Sequence, residues 1–125
     1  MDKKDKLDYL IGKLSKLSYV SAIFLFGSSV NGRARADSDI DLAVLTKNAS
    51  HEQEMKIIGY GDDVFNISTF SHLPLVIQFR VLRDGKILFS RDYRDIYDAK
   101  VQIFRRYWDF APFINRFYKR ILKNV

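Results

Sequence analysis

The spacing of apolar residues divides the first half of the chain into alternating helices and strands. Leucine and isoleucine recur at every third or fourth position over residues 5–17, which predicts an amphipathic helix. Two short apolar runs, 22–26 and 42–45, predict strands over 21–26 and 39 to about 46. Helical spacing returns over 50–60, and a segment rich in Val, Phe, Ile and Thr predicts a third strand over 63–70.

The second half of the chain is predicted to be mostly helical. A helix is expected to begin at Pro74 and to end at Asp84-Gly85, followed by a short extended segment over 86–89. Two further helices are predicted, over 92–109 and 112–124, with a break near Ala111-Pro112. Helices that alternate with three or four strands indicate an α/β (α+β) fold, a small mixed β-sheet flanked by helices with C-terminal helices beyond it.

Composition narrows the class of protein. The 125 residues are 47% hydrophobic and 29% charged, which is typical of one globular domain, here expected to span 1–125. The chain has no cysteine, which excludes disulfides and thiolate metal sites and fits a cytoplasmic location. No apolar run is long enough for a signal peptide or a membrane span, so no membrane association is expected.

The net charge of +6 is concentrated near the C-terminus. Residues 1–90 contain 12 basic and 11 acidic side chains, whereas residues 91–125 contain 9 basic and 4 acidic ones. Aromatic residues are interleaved with the basic ones in this last segment, a mixture that can bind single-stranded nucleic acid. At helical spacing it more often forms a core face and a wetted face. Core packing with docking of a protein partner is therefore expected in preference to nucleic-acid binding.

Two aspartates at the start of the second strand predict a metal site. Asp39 and Asp41 are two residues apart, so both side chains project from the same face of a strand. Two neighbouring carboxylates repel each other unless a cation lies between them. Mg²⁺ prefers such hard oxygen ligands and leaves positions free for water and phosphate oxygens. A pair of Mg²⁺ ions held here would suit phosphoryl or nucleotidyl transfer.

The turn after the first strand predicts a site for the phosphates of a nucleotide triphosphate. Gly27 has no Cβ, so a phosphate can approach its backbone closely. Ser28 and Ser29 offer hydroxyl and N–H groups at the start of a short helix predicted over Ser28–Arg33. Arg33 is a candidate phosphate contact, while the P-loop and the dinucleotide-binding glycine motif are both absent. The pattern indicates metal-assisted transfer of a nucleotide.

These motifs resemble those of a known family. Phe26-Gly27-Ser28 followed by Ser38-Asp39-Ile40-Asp41-Leu42-Ala43-Val44 resembles the signature of the polymerase-β-like nucleotidyltransferases. The short chain and the segment from Pro74 to Phe89 are similar to the minimal nucleotidyltransferase (MNT) branch. The resemblance implies the polymerase-β-like fold and an antitoxin that forms a hetero-oligomer with a HEPN toxin. It also implies transfer of AMP from ATP, with Mg²⁺, to a tyrosine of that HEPN ribonuclease.

The chain departs from the family at the third carboxylate. The family usually supplies it from the third strand, where this sequence is expected to present Asn66, an amide that cannot accept a proton as a carboxylate does. Asp63 is the nearest carboxylate, but its spacing of three residues places it on the other strand face unless a bulge intervenes. The predicted catalytic set is therefore Asp39, Asp41 and Asp63, with Asn66 as the alternative occupant of the third position.

Two other functions stay open at this stage. Asn66 favours a degenerate transferase that neutralises its toxin by binding alone. A small-molecule nucleotidyltransferase would need its acceptor between the subunits of a homodimer, since about 35 residues follow the last predicted strand. That length favours an acceptor hydroxyl presented by another protein.

Overall fold

The computed structural model describes residues 2–27 and 39–123 as one sheet flanked by helices. In chain order the elements are α1 (Lys3–Ser15), β1 (Val20–Phe26), β2 (Ile40–Thr46), α2 (His51–Ile58), β3 (Phe65–Thr69), a 3₁₀ helix (Phe70–His72), α3 (Leu75–Asp84), β4 (Lys86–Ser90) and α4 (Tyr93–Lys123). The predicted helix over Ser28–Arg33 lies outside the described residues.

The sheet is mixed, as predicted. Its strand order is β3-β2-β1-β4, with β2 and β3 parallel and the β1–β2 and β1–β4 pairs antiparallel. The two central strands are thus the apolar runs on either side of the glycine and aspartate motifs. This topology places the end of β1 next to the beginning of β2.

Helices cover both faces of the sheet. On one face, α1 and α2 bury Leu10, Leu14 and Ile57 against the strands. On the other face, α3 and α4 form a second cluster that includes Val81 and Ile96. Because both faces are covered, consecutive residues of β2 are buried rather than alternate ones: Leu42, Ala43 and Val44.

The ends of α2 and α3 follow from local sequence signals. Ser50 and Gln53 form a capping box at the start of α2, where each side chain accepts a hydrogen bond from the other residue's backbone N–H. Helix α3 begins directly after Pro74, as predicted. It ends at Gly85, where a Cβ would collide with the carbonyl of Val81.

The C-terminal segment differs from the prediction. The expected break near Ala111-Pro112 is wrong, because α4 is one helix of 31 residues with Pro112 inside it. Proline removes one hydrogen-bond donor and crowds the preceding turn, yet its φ of about −65° is itself helical. The cost is therefore one lost backbone hydrogen bond and steric crowding, and the helix continues. No helix in the described part of the chain is long and apolar enough to cross a membrane.

Candidate active site

The end of β1 and the start of β2 bring the glycine and aspartate motifs together. Phe26 pairs with Asp41 in the antiparallel ladder, and Gly27 follows with a φ of +82°. A Cβ built on Gly27 would lie 2.6 Å from Oδ2 of Asp41. The backbone conformation therefore favours glycine, and a larger residue would also have to displace the Asp41 carboxylate. The Asp41 carboxylate occupies the space that a side chain at position 27 would need.

Asn66 lies on the other side of Asp41. In the parallel β2–β3 pair, Asp41 is opposite Asn66, and Asn66 Nδ2 donates a hydrogen bond of 3.3 Å to Asp41 Oδ1. The Asp41 carboxylate is thus held between the glycine turn and an amide on β3. The strand position at which a third carboxylate was expected carries Asn66 beside Asp41.

The two aspartates of the motif differ in environment. Asp39 directly precedes β2 and is exposed, whereas Asp41 is half-buried within the strand. Their carboxylate oxygens are the hard donors that Mg²⁺ prefers, and glycine at position 27 avoids a Cβ that would lie 2.6 Å from Asp41 Oδ2. The residues present therefore fit a divalent cation. Over residues 2–27 and 39–123, no three His, Cys, Asp or Glu side chains form a group that could hold a metal by themselves.

The carboxylates upstream of β3 do not complete the site. Asp62 Oδ1 accepts hydrogen bonds from the backbone N–H groups of Val64 (2.8 Å) and Phe65 (2.9 Å), and its other oxygen pairs with Lys6. Asp62 thus fixes the turn that starts β3 and ties it to α1. Asp63 is exposed and precedes the strand. The structure does not gather Asp39, Asp41 and Asp63 into a three-carboxylate group.

A cavity of about 240 Å³ adjoins Gly27 on the side of α3. Its wall is mainly apolar, and Arg80 and Asp84 bring charge to it; the full lining is Phe26, Gly27, Ile77, Arg80, Val81, Asp84 and Gly85. The Arg83 guanidinium donates two hydrogen bonds to Asp84 and holds the pKa of that carboxyl below its usual range. Sequence reasoning did not select Arg80 or Asp84 as site residues. The available signal was that Arg80 and Asp84 are four residues apart in the helix that ends at Gly85, because this spacing puts both charges on one helix face.

Three predicted nucleotide-binding residues, Ser28, Ser29 and Arg33, lie outside the described residues. They stay predictions. The described part of the site consists of Gly27, Asp39, Asp41 and Asn66, with the α3 cavity beside them.

The sequence of the chain matches a known family and two curated relatives. Residues 9–94 match the family described as Polymerase beta, Nucleotidyltransferase. The protein adenylyltransferase MntA of Aphanizomenon flos-aquae is 29% identical over 62% of this chain and 61% of its own length. A relative from Methanocaldococcus jannaschii is 27% identical over 59% of each chain. The matches span about three fifths of the length of these curated relatives.

Solved structures share the fold over nearly the whole chain. A chain of a toxin–antitoxin complex crystallised with AMP-PNP superposes with a TM-score of 0.73 at 19% identity, over 96% of this chain and 98% of that chain. A chain from a tri-AMPylated Shewanella oneidensis HEPN toxin in complex with an MNT antitoxin gives 0.65 at 19% identity, over 95% of each chain. These likenesses confirm the predicted polymerase-β-like fold. With the family match over most of the sheet, the chain belongs to the polymerase beta nucleotidyltransferase family.

Proposed function

We propose that this chain is a protein adenylyltransferase that acts as an antitoxin, transferring AMP from ATP to a tyrosine of a partner HEPN toxin. The observation that supports the proposal most is the position of the Asp41 carboxylate, whose Oδ2 would lie 2.6 Å from a Cβ at Gly27. A carboxylate that could bind a cation and a glycine turn that could bind phosphate are therefore neighbours. The protein adenylyltransferase named among the relatives supports the reaction. The neighbouring complex of an AMPylated HEPN toxin with an MNT antitoxin supports the acceptor.

The chemistry is an exchange at the α-phosphorus of ATP. The tyrosine hydroxyl oxygen forms a new bond to that phosphorus, and the bond between the phosphorus and the oxygen bridging to the β-phosphate breaks. Pyrophosphate leaves with that electron pair, and the phenolic proton passes to solvent or to a carboxylate. Tyrosine and ATP thus give AMP-tyrosine, pyrophosphate and a proton.

The chain's own groups have distinct parts in this reaction. Gly27, with Ser28, Ser29 and Arg33 after it, would bind the triphosphate. Asp39 and Asp41 would hold Mg²⁺, which when bound offsets the negative charge on the phosphate oxygens and the leaving pyrophosphate. The hydrogen bond from Asn66 fixes the orientation of the Asp41 carboxylate near the start of β2. The cavity walled by Ile77, Arg80 and Asp84 is the space next to Gly27 in which the rest of the nucleotide would lie.

The test is AMP transfer from ATP labelled on its α-phosphate to a HEPN protein encoded by the adjacent reading frame. Asp39→Asn with Asp41→Asn is expected to lower the transfer rate on the order of 100- to 1,000-fold, because it removes the charge that holds the cation. Asp8→Asn with Asp98→Asn changes the net charge equally at two exposed positions and is the matched control. Intact mass of the partner reports each added AMP. Labelling that survives the Asp39/Asp41 change contradicts the assignment.

Asn66 favours one rival, a degenerate transferase that neutralises its toxin by binding alone. Its amide occupies the strand position beside Asp41, so the described residues offer two carboxylates there rather than three. In the same experiment, neutralisation that persists in the Asp39/Asp41 variant without added mass on the partner selects this rival.

We also infer that residues 1–125 act as a single nucleotidyltransferase domain in the cytoplasm. All four helices contribute buried residues to one of the two faces of the same sheet, which supports the first point. The absence of cysteine supports the second.

A further inference from the structure

The apolar side of α4 continues far beyond the part of the helix that packs on the sheet. Six apolar residues are separated alternately by four and three positions: Ile103, Tyr107, Phe110, Ile114, Phe117 and Ile121. This mean spacing of 3.5 residues is the one by which two helices pack along a continuous line of contact. We call these six residues the α4 seam.

The chain itself buries the beginning of the seam and half-buries Ile114, but it leaves the other outer residues of the seam exposed. Ile103 is 3% exposed, and Tyr107 stacks on Phe79 of α3 with ring centroids 3.8 Å apart. Further along, Phe110, Phe117 and Ile121 are 48%, 62% and 44% exposed. The pattern that buries the first part of α4 in the domain therefore continues without a partner in the described structure.

A shallow apolar groove runs beside the exposed part of the seam. It has a volume of about 360 Å³ and lies between Val76 at the start of α3 and four aromatic rings and one isoleucine of α4: Phe110, Phe113, Ile114, Phe117 and Tyr118. The groove offers a recess into which a side chain of a second helix fits. Ile114 and Ile121 also argue against a stacking platform for bases, because an aliphatic side chain has no π-face.

Charges beside the seam distinguish between possible occupants. Residues 105–121 contain five basic side chains and one acidic one. Arg106 and Arg120 directly precede seam residues and flank one side of the contact line. Two copies of this chain paired antiparallel would set these arginines against each other across the contact. A helix that carries carboxylates along its edge would pair with them instead.

We propose that the α4 seam is the docking surface for a helix of the protein partner, an apolar helix face with acidic residues along its edge. The proposal rests on the proposed function for the identity of that partner, the HEPN toxin. It adds that the toxin is held through the outer half of α4, whose groove shares no lining residue with the cavity at Gly27. Docking there would tether the toxin while the acceptor tyrosine reaches the nucleotide.

The first test measures the affinity of the full chain for the HEPN protein in buffer without ATP, so that binding is separated from transfer. Phe117→Ala with Ile121→Ala is expected to raise the dissociation constant about 100-fold, since apolar anchors dominate such contacts. Trp108→Ala with Tyr97→Ala removes two residues that are 76% and 59% exposed but lie off the seam, and is expected to change the constant less than about twofold. Thermal melting followed by circular dichroism checks that all variants are folded.

The second test exchanges charge. Arg106→Glu with Arg120→Glu is expected to weaken binding about tenfold, whereas Arg105→Glu with Lys119→Glu, on the opposite helix face, has the same charge change and a smaller effect. Binding unaltered by the Phe117/Ile121 change overturns the docking surface and leaves AMP transfer standing. Binding through the seam without any AMP transfer contradicts the proposed function and leaves the surface standing. A homodimer in sedimentation that the seam variant dissociates, or a wild-type chain that does not bind the HEPN protein, overturns the proposal.

Discussion

The start of β2 around Asp41 and the outer half of α4 both follow regular sequence patterns. In the folded chain the first has neighbouring strands on both sides, whereas the second is largely exposed to solvent. Near the start of β2, the Asp41 carboxylate lies between Gly27 and the Asn66 amide. On outer α4 the apolar groups of Phe117 and Ile121 face solvent. The difference shows that periodicity predicts which side chains share a face, whereas what lies opposite that face is decided by topology. A carboxylate with partners in the chain and an apolar face without cover can have equally clear sequence signals.

The contrast is sharpest within α4 itself. Ile103 and Phe117 stand two heptads apart on one seam, yet the first is buried and the second exposed. The sheet and α3 extend only far enough to cover the first. Experiments that compare matched positions in the two regions can therefore test the contrast directly.

The largest expected effect is on stability at the inner end of the seam. Ile103→Ala removes buried methyl groups and leaves a cavity, so the free energy of unfolding should fall by about 2–5 kcal/mol. Phe117→Ala removes a larger side chain at an exposed position and should change it by less than about 0.5 kcal/mol. Urea unfolding followed by circular dichroism measures both. Similar losses for the two variants would mean that outer α4 is already covered in the isolated chain.

The next effect is on the glycine of the site. Gly27→Ala introduces a Cβ that would collide with Asp41 Oδ2 and displace the carboxylate. It also requires alanine to adopt a left-handed backbone conformation. Displacement of the carboxylate should lower the rate of AMP transfer about 100-fold. The strained backbone should lower the free energy of unfolding by about 1–2 kcal/mol.

Gly12 provides the matched control. A Cβ there has no atom within 4 Å, and the residue lies inside α1. Gly12→Ala should therefore leave transfer unchanged and raise stability by about 0.5–1 kcal/mol. Full activity of the Gly27→Ala variant would show that Asp41 is not placed for catalysis by this contact.

A smaller effect is expected at Asn66. Asn66→Asp adds a carboxylate next to Asp41, so the affinity for Mn²⁺, used as a probe for Mg²⁺, should rise about tenfold because ligand charge sets cation affinity. Without metal the added charge repels Asp41, and the melting temperature should fall. Electron paramagnetic resonance of free Mn²⁺ and melting with and without EDTA measure the two changes.

Asn66→Ala, which loses the hydrogen bond without adding charge, is the control for this change. Unchanged Mn²⁺ affinity in Asn66→Asp would mean that this strand position does not face the cation site.

Most of the secondary structure could be predicted because its signals are local. The capping residues around Ser50, the proline before α3 and the apolar runs of β1 and β2 each act within a few residues. The break at Pro112 could not be judged in this way. Whether a helix continues through a proline depends on whether the helical turns on either side are stable enough to offset one lost hydrogen bond. The Ala-Pro sequence does not show how stable those turns are.

The candidate site was predictable in part for the same reason. The spacing of Asp39 and Asp41 on one strand and the glycine after the preceding strand follow from strand geometry alone. The role of the carboxylates before β3 could not be predicted from strand geometry. Asp62 accepts hydrogen bonds from two backbone N–H groups and pairs with Lys6 of α1, which is distant in sequence. Arg80 and Asp84 were missed because only the folded chain brings α3 beside Gly27.

The sequence by itself determined the mixed α/β character of the fold, the paired aspartates beside a glycine turn and the apolar periodicity of the C-terminal helix. Each of these depends on spacing along the chain. The tertiary structure alone decided that Asn66 lies opposite Asp41 and that α3 lines the cavity at Gly27. It also decided that the outer part of the α4 seam is exposed. These features join residues far apart in sequence, and strand register and helix length, rather than local propensity, bring them together.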